Sequence, residues 1–279
     1  MTLKKGIVLS LLILPICGYS QFAEKIVSAR PGQANGPFGV GKNVYQIQTG
    51  FKYDYWQNEG SGSELTNKLF DNSTILRIGI FENTELRGSF QLNILDRYFL
   101  ENNNFQTPDQ TGNLESKLEN TQQGISKSSL GIRQNINNQS GFIPAIGVQL
   151  TTLFGGLNDY KMNTVDVQLR LLLQHKILKK LVLNTNFTAS LETENLAYTF
   201  SLSYPLTEKL RIVGEMYGIK YFNDSFYNNT ISTNFDAGFG YLINSNFQID
   251  LFGGFGKHNE FHSEFFISTG LSYRINRRD

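Results

Sequence analysis

Apolar and polar residues alternate along most of this chain with a period of two. Between Phe265 and Ile275 the odd positions carry Phe, Ile, Thr, Leu, Tyr and Ile, and most even positions are small or polar. Successive side chains of a β-strand point to opposite faces, so this pattern predicts a strand with one apolar and one polar face. No apolar run beyond the N-terminus is long enough to cross a membrane as a helix.

The alternation recurs in twelve segments, each long enough to cross a bilayer on a tilted path. The predicted strands are 44–56, 73–81, 84–94, 126–136, 142–153, 164–175, 180–191, 196–206, 209–220, 231–242, 246–256 and 264–275. The sequence therefore predicts an all-β fold, a transmembrane antiparallel up-and-down β-barrel of about 12 strands that occupies residues 44–279. A soluble β-sandwich or lipocalin-like barrel is the weaker alternative, because aromatic residues cluster near the predicted strand ends as in a membrane girdle.

The predicted connections alternate in length, which supports the barrel independently. The short turns are 82–83, 137–140, 179, 207–208 and 244–245, and the other set is 57–72, 95–125, 154–163, 192–195, 221–230 and 257–263. Short turns of such barrels face the periplasm and long loops face outward, so both termini are expected in the periplasm. Loop 95–125 is either a lid that folds inward or, slightly favoured, a solvated mobile loop.

Residues 1–20 have the features of a signal peptide. A basic start is followed by an apolar core over 7–16 and by small residues that end at Ser20. A lipid anchor at Cys17 is less favoured, because Ile16 stands where a lipobox needs a small residue. Cleavage after Ser20 would remove the only cysteine of the chain, so no disulfide is expected.

The amino-acid composition argues against two classes of protein, nucleic-acid-binding proteins and helical membrane proteins. The chain has 25 basic and 24 acidic residues, a balance that argues against nucleic acid as a partner. A mean hydropathy of −0.27 is low for a helical membrane protein but typical of a barrel with a polar interior. The 22 Phe, 13 Tyr and 26 Gly residues fit aromatic girdles and close strand contacts.

Residues 21–43, ahead of the first predicted strand, have no regular pattern. Turn-forming residues at 29–33 and 36–39 predict irregular backbone. Two interpretations stay open: a plug that enters the barrel, and a plain leader in the periplasm.

Three stretches together resemble one known family. They are Arg30-Pro31-Gly32-Gln33 with 41–51, the hairpin residues 76–87, and 236–250 with 266–274. The sequence resembles the outer-membrane transporters named for the meta pathway of phenol degradation, in the form common among Bacteroidetes. The resemblance covers most of the mature chain and implies uptake of small aromatic or hydrophobic compounds. Members often carry an acid before Arg-Pro, and Ala29 stands there in this chain.

Charged residues on the predicted inward face are the main candidates for function. They are Lys52, Asp54, Arg77, Glu85, Arg87, Arg133, Asp166, Arg170, Arg211, Glu215, Asp236, Asp250 and Arg274. One interpretation is a charged constriction that selects solutes. The other, which we favour, is a structural network of paired charges that fills a narrow barrel. The cluster of Arg77, Glu85 and Arg87 on one hairpin is the clearest structural candidate.

Other chemistry has weaker support in the sequence. His258 and His262 are four residues apart with carboxylates beside them, but in a loop this spacing fixes no metal geometry. No serine has the histidine partner that a barrel phospholipase would need, so we expect no enzyme, no cofactor and no metal. The predicted function is an outer-membrane channel that passes small molecules passively, with the lipid bilayer and a small solute as partners. The alternative is a non-conducting barrel with a structural or assembly role, and the oligomeric state stays open.

Overall fold

The computed structural model describes twelve strands and one short 3₁₀ helix. The described residues are 25–26, 28–30, 32–60, 63–100, 116–161, 165–178, 180–222, 231–257 and 262–276. The strands are β1 Val44–Gly60, β2 Ser63–Phe81, β3 Thr84–Leu100, β4 Ser116–Asn137, β5 Ala145–Phe154, β6 Val165–Lys176, β7 Val182–Ser190, β8 Asn195–Pro205, β9 Leu210–Tyr221, β10 Thr233–Asn244, β11 Phe247–Lys257 and β12 His262–Asn276.

Each strand pairs with its neighbours in the chain, and the sheet closes on itself. The closing pair, β1 with β12, is antiparallel and in continuous register from Val44↔Asn276 to Asn58↔His262. Closure leaves no strand edge exposed to lipid, where unpaired backbone groups would be costly. The predicted all-β, up-and-down antiparallel barrel of 12 strands is confirmed.

The outer surface of the barrel is apolar and the interior is polar, the reverse of a soluble protein. On β12, Ile267 and Ile275 are about half exposed on the outside, while Ser268 and Ser272 between them are buried inside. On β1, Gln46 and Gln48 are buried inside and Tyr45 faces outward. This distribution is stable only when lipid covers the outer face, which is the arrangement of a transmembrane barrel. No helix in the described part of the chain is long and apolar enough to cross a membrane.

The first four strands are longer than the other eight, which corrects two predicted loops. β1 to β4 have 17 to 22 residues, whereas β5 to β11 have 9 to 12 and β12 has 15. The loop predictions for 57–72 and 95–125 were wrong over 57–60, 63–72, 95–100 and 116–125, which are strand. These extensions have polar residues on both faces, such as Thr66, Asn67 and Lys68, so no apolar alternation marks them. Residues 61–62 and 101–115 lie outside the described part.

The connection between β5 and β6 folds back over the extension of β4. It contains the 3₁₀ helix Asn158–Tyr160. The backbone N–H of Leu157 donates to the Ile125 carbonyl at 2.8 Å, and the Gln123 N–H donates to Asp159 Oδ2 at 2.8 Å. The long wall is thereby supported at the end of the barrel where the longer connections lie.

Candidate functional site in the barrel lumen

The described residues of 25–43, which we call the N-terminal segment, run through the lumen before β1 begins. At the short-turn end, the Ile26 N–H donates to the Ser245 carbonyl at 2.8 Å, and Lys25 Nζ donates to the Glu208 carbonyl at 3.1 Å. At its other end, the Asn43 N–H donates to the Gly79 carbonyl of β2 at 3.0 Å. Between these points the segment crosses from the β11–β12 side of the lumen to the β2–β3 side.

Arg30 is the first side chain of the segment that forms an ion pair with the wall. Its guanidinium pairs with Asp250 of β11 at 3.0 Å and donates to Ser268 Oγ of β12 at 3.0 Å. The same group lies 5.4 Å from the ring centroid of Phe252. Gly50 and Gly270 face each other across β1 and β12, and a Cβ on either would collide with the Arg30 side chain. The two glycines therefore create the space that Arg30 fills.

Glu215 of β9 receives the next part of the segment. Its carboxylate accepts the backbone N–H groups of Gln33 and Ala34, the latter at 3.1 Å. Gly32, just ahead, has φ +96°, a conformation that residues with a side chain rarely adopt, and it lies against the Glu215 carboxylate. The turn at Gly32 directs two successive N–H groups at one buried anion, which suits carboxylate recognition.

Asn35 joins the segment to the opposite wall. Its backbone N–H donates to Asn186 Oδ1 of β7 at 2.8 Å, and Asn186 Nδ2 donates back to the Asn35 carbonyl at 2.8 Å. Both side chains are buried. A side-chain amide thus substitutes for a neighbouring strand and satisfies both backbone groups of a residue that has no strand partner.

A cluster of three arginines surrounds one carboxylate on β2, β3 and β4. Arg77 Nη2 lies 2.7 Å from Glu85 Oε2, and Arg87 and Arg133 each approach Glu85 Oε1 at 3.7 Å. Gln149 Oε1 of β5 accepts from Arg133 Nη2 at 2.8 Å and from Arg87 Nη1 at 3.1 Å. The structure brings together Arg77, Glu85 and Arg87 as the hairpin spacing suggested, with Arg133 added from β4.

The N-terminal segment presents oxygen atoms to this cluster. The Gly36 carbonyl and Asn35 Oδ1 each accept from Arg133 at 3.2 Å, and the Phe38 carbonyl accepts from Arg77 at 3.4 Å. Farther along, the Val40 N–H donates to Glu85 Oε2 at 3.0 Å. The segment therefore supplies acceptors where the wall is rich in guanidinium groups.

The lumen consequently has two chemically different walls. The arginine wall contains Arg77, Glu85, Arg87, Arg133 and Arg170, on β2, β3, β4 and β6. The acidic wall contains Arg211, Glu215, Asp236, Asp250 and Asp54, on β9, β10, β11 and β1. Glu215 and Asp236 are paired in register on neighbouring strands, so two carboxylates meet on the acidic wall.

The predicted lumen charges make further contacts outside the arginine cluster. Lys52 pairs with Asp54 at 2.7 Å on β1, and Arg170 donates to Thr188 Oγ1 at 2.8 Å. Arg274 donates to Asn246 Oδ1 at 3.0 Å beside a short turn. Asp166 accepts the Glu192 N–H at 3.0 Å in the β7–β8 connection, at the other end of the barrel. Asp166 and Arg274 thus stabilise connections at opposite ends, away from the arginine cluster.

Several residues that complete the site were not among the predicted ones. The prediction considered only charged residues of the strands. It therefore missed Arg30 and Asn35, which lie in the irregular segment, and Gln149 and Asn186, which are uncharged amides. Asp71, which accepts a hydrogen bond from Gln91, lies in a stretch predicted as loop. It is six residues before Arg77, an even separation that places both side chains on the same face of a strand, so extending the predicted strand would have identified it. His258 lies outside the described residues, and no group of three metal-ligating side chains occurs in the part of the chain that the structure describes.

Comparison with known proteins adds a family and a fold. Residues 28–275 match the model of the family described as "Putative MetA-pathway of phenol degradation". An outer membrane channel from Pseudomonas putida F1 superposes with a TM-score of 0.59 at 9% identity, covering 89% of this chain and 100% of that chain. The translocator domain of the autotransporter NalP from Neisseria meningitidis gives 0.53 at 12% identity, covering 84% and 89%. No curated protein sequence matches the chain.

Proposed function

The chain belongs to the MetA-pathway family of phenol degradation, and from that premise we propose that it is an outer-membrane channel through which small organic molecules diffuse passively. The observation that carries the proposal is the polar, charged lining inside a closed barrel whose outer face is apolar. Such a lining offers a route across the bilayer that the lipid itself does not offer to polar groups. An outer membrane location agrees with the barrel fold, and residues 1–20 would serve as the export signal.

The two walls suggest how solutes are selected. Guanidinium groups on one side and carboxylates on the other create a field across the lumen, which orients a polar solute as it passes. Small aromatic compounds carry a polarisable ring and often one polar group, so they suit such a passage. We therefore propose that the solutes are small aromatic or hydrophobic compounds, in keeping with the description of the phenol-degradation family.

The N-terminal segment sets the access to the lumen in this proposal. It contacts both walls and bonds to seven of the charged lumen residues, Arg77, Glu85, Arg87, Arg133, Arg211, Glu215 and Asp250. A solute that passes must move beside this segment or displace part of it. The barrel then conducts small molecules slowly and excludes large ones.

Uptake by cells tests the proposed function. A porin-deficient Gram-negative host that produces the chain should take up radiolabelled phenol faster than the host with an empty vector. Maltoheptaose, a bulky neutral oligosaccharide, serves as the control solute and should enter no faster. Equal phenol uptake with and without folded protein in the outer membrane would overturn the proposal and favour a non-conducting barrel. Faster entry of both solutes would indicate a damaged membrane and would equally count against a selective channel.

A further inference from the structure

A cavity of about 540 Å³ opens at the short-turn end of the barrel, below the N-terminal segment. Lys25 and Ile26 of the segment form one side, and the β8–β9 turn, with residues of β9 to β11, forms the other. We call it the mouth cavity. By the rule that short turns face the periplasm, it lies where a solute would leave the lumen.

The described lining of the mouth cavity is strongly basic. Four basic residues, Lys25, Lys180, Lys209 and Arg211, line it together with one acidic residue, Glu208. Lys25 does not neutralise that acid, because its Nζ donates to the backbone carbonyl of Glu208 and not to the carboxylate. The cavity therefore has an excess of positive charge, whereas the chain as a whole is nearly neutral.

Donors that face this space are held in place by the N-terminal segment. The carbonyl of Arg30 accepts from Arg211 Nη2 at 3.2 Å and from Gln248 Nε2 at 2.8 Å. Each of these contacts uses one N–H group of the donating side chain. The guanidinium of Arg211 has five N–H groups in all. Arg211 is thus fixed at the inner end of the cavity with donors to spare, and Lys180 and Lys209 stand at its outer edge on two neighbouring turns.

Apolar side chains complete the lining. Ile26 is buried, and Pro205 and Leu242 contribute further apolar surface. Small-molecule sites commonly combine apolar walls with a few polar groups that fix orientation. Cations beside apolar surface fit a compound with a carboxylate at one end and an apolar body at the other.

We propose that the mouth cavity is a binding site for small organic anions with an apolar body, such as aromatic carboxylates. The carboxylate lies between Arg211 and the lysines of the turns, and the ring lies against Ile26 and Leu242. Binding at this site does not require a conducting barrel. The proposed site can therefore exist even if the proposed channel function is wrong. In a conducting barrel, the site would attract anionic solutes to the periplasmic mouth.

Calorimetric titration of the refolded mature chain in lipid nanodiscs tests this site. Benzoate should bind, and benzyl alcohol, which has the same ring without the charge, should bind far more weakly. The double variant Lys180→Gln/Lys209→Gln should weaken benzoate binding by about fivefold to tenfold, as expected for the loss of two partly exposed charges. Glu208→Gln removes the one acid of the lining and should strengthen benzoate binding.

A matched control separates this site from general charge effects. Lys176→Gln removes one positive charge at the same end of the barrel but outside the cavity lining, and it should leave benzoate binding unchanged. The described hydrogen bonds of Lys209 all involve its backbone and none its side chain, so its variant should fold. Heat-modifiable gel mobility checks the folding. Absent benzoate binding, equal binding of benzyl alcohol, or an equal loss in Lys176→Gln would each overturn the proposal. Insensitivity of binding to Lys180→Gln/Lys209→Gln in folded protein would do the same.

Discussion

The two walls of the lumen hold the same N-terminal segment in opposite ways. The guanidinium groups of the arginine wall donate to the segment, which accepts through the carbonyls of Gly36 and Phe38. The carboxylates of the acidic wall accept from the segment, which donates through the Gln33 and Ala34 N–H groups and the Arg30 guanidinium. Irregular backbone can offer both donors and acceptors in sequence, which a regular strand already paired on both edges cannot.

The walls also differ in how far they depend on the segment. On the arginine wall, Glu85 pairs with arginines of the barrel itself. On the acidic wall, Asp250 is fully buried and takes its close ion pair from Arg30 of the segment. We infer that the arginine wall is built into the barrel and that the acidic wall is completed by the segment. Substitutions of Glu85, Arg30 and Arg170 test this difference between the walls.

Glu85→Gln should cause the largest loss of stability. It removes the one carboxylate among three buried guanidinium groups, and leaving buried charge without a partner costs about 3 to 5 kcal/mol. Urea unfolding of the refolded barrel in detergent measures the free energy of unfolding. Glu82→Gln, in the exposed turn beside it, is the control and should change little. If the two variants unfold alike, the arginine wall is not an ion network.

Arg30→Gln should have a smaller effect on the free energy of unfolding, about 1 to 3 kcal/mol. The reason is that the segment can shift and admit water to Asp250, a relaxation that the rigid strands around Glu85 do not allow. Adding Asp250→Asn should recover part of the loss, since the uncompensated carboxylate is then gone. Lys42→Gln, an exposed position of the same segment, is the control. A double variant as unstable as the sum of the two single variants would show that the pair is not coupled.

Arg170→Ala should leave stability nearly unchanged and alter ion preference. Arg170 donates to Thr188 Oγ1, and no ion pair joins it to a carboxylate among the described residues. Loss of its positive charge should shift the reversal potential in a salt gradient toward cation preference. Thr188→Ala removes the hydrogen bond but not the charge, so its reversal potential should match the wild type. An unchanged potential in folded Arg170→Ala would argue against a selective role for the arginine wall.

Sequence reasoning predicted the wall of the barrel far better than its contents. The predicted strand 164–175 and the observed β6 Val165–Lys176 differ by one residue at each end, because lipid imposes an apolar residue at every second position of that strand. Beyond the lipid this constraint ends, and the extensions of β2 and β3 went unnoticed. The path of the N-terminal segment could not be predicted either. Its contacts join Asn35 to Asn186 and Arg30 to Asp250, residues far apart in sequence with no periodic signal.

The contacts among site residues also differ in how far the sequence predicts them. The contact of Arg77 with Glu85 could be predicted because one tight hairpin fixes their separation. The meeting of Arg133 with Gln149 and Asn35 depends on strand register and on the segment together. Alternation predicts which face of the sheet a residue occupies but not its position along the barrel axis. Asp166 was therefore predicted in one group with Arg274, although the two residues lie at opposite ends of the barrel.

Single-channel conductance in planar bilayers tests whether the N-terminal segment restricts the lumen, by comparing the intact mature chain with a variant that lacks residues 21–38. The variant keeps the contact of Asn43 with Gly79, from which β1 begins. We expect small, discrete current steps for the intact chain and steps several times larger for the variant, since the segment occupies the lumen between the two walls. Equal conductance of the two folded and inserted proteins, or silence from both, would contradict it.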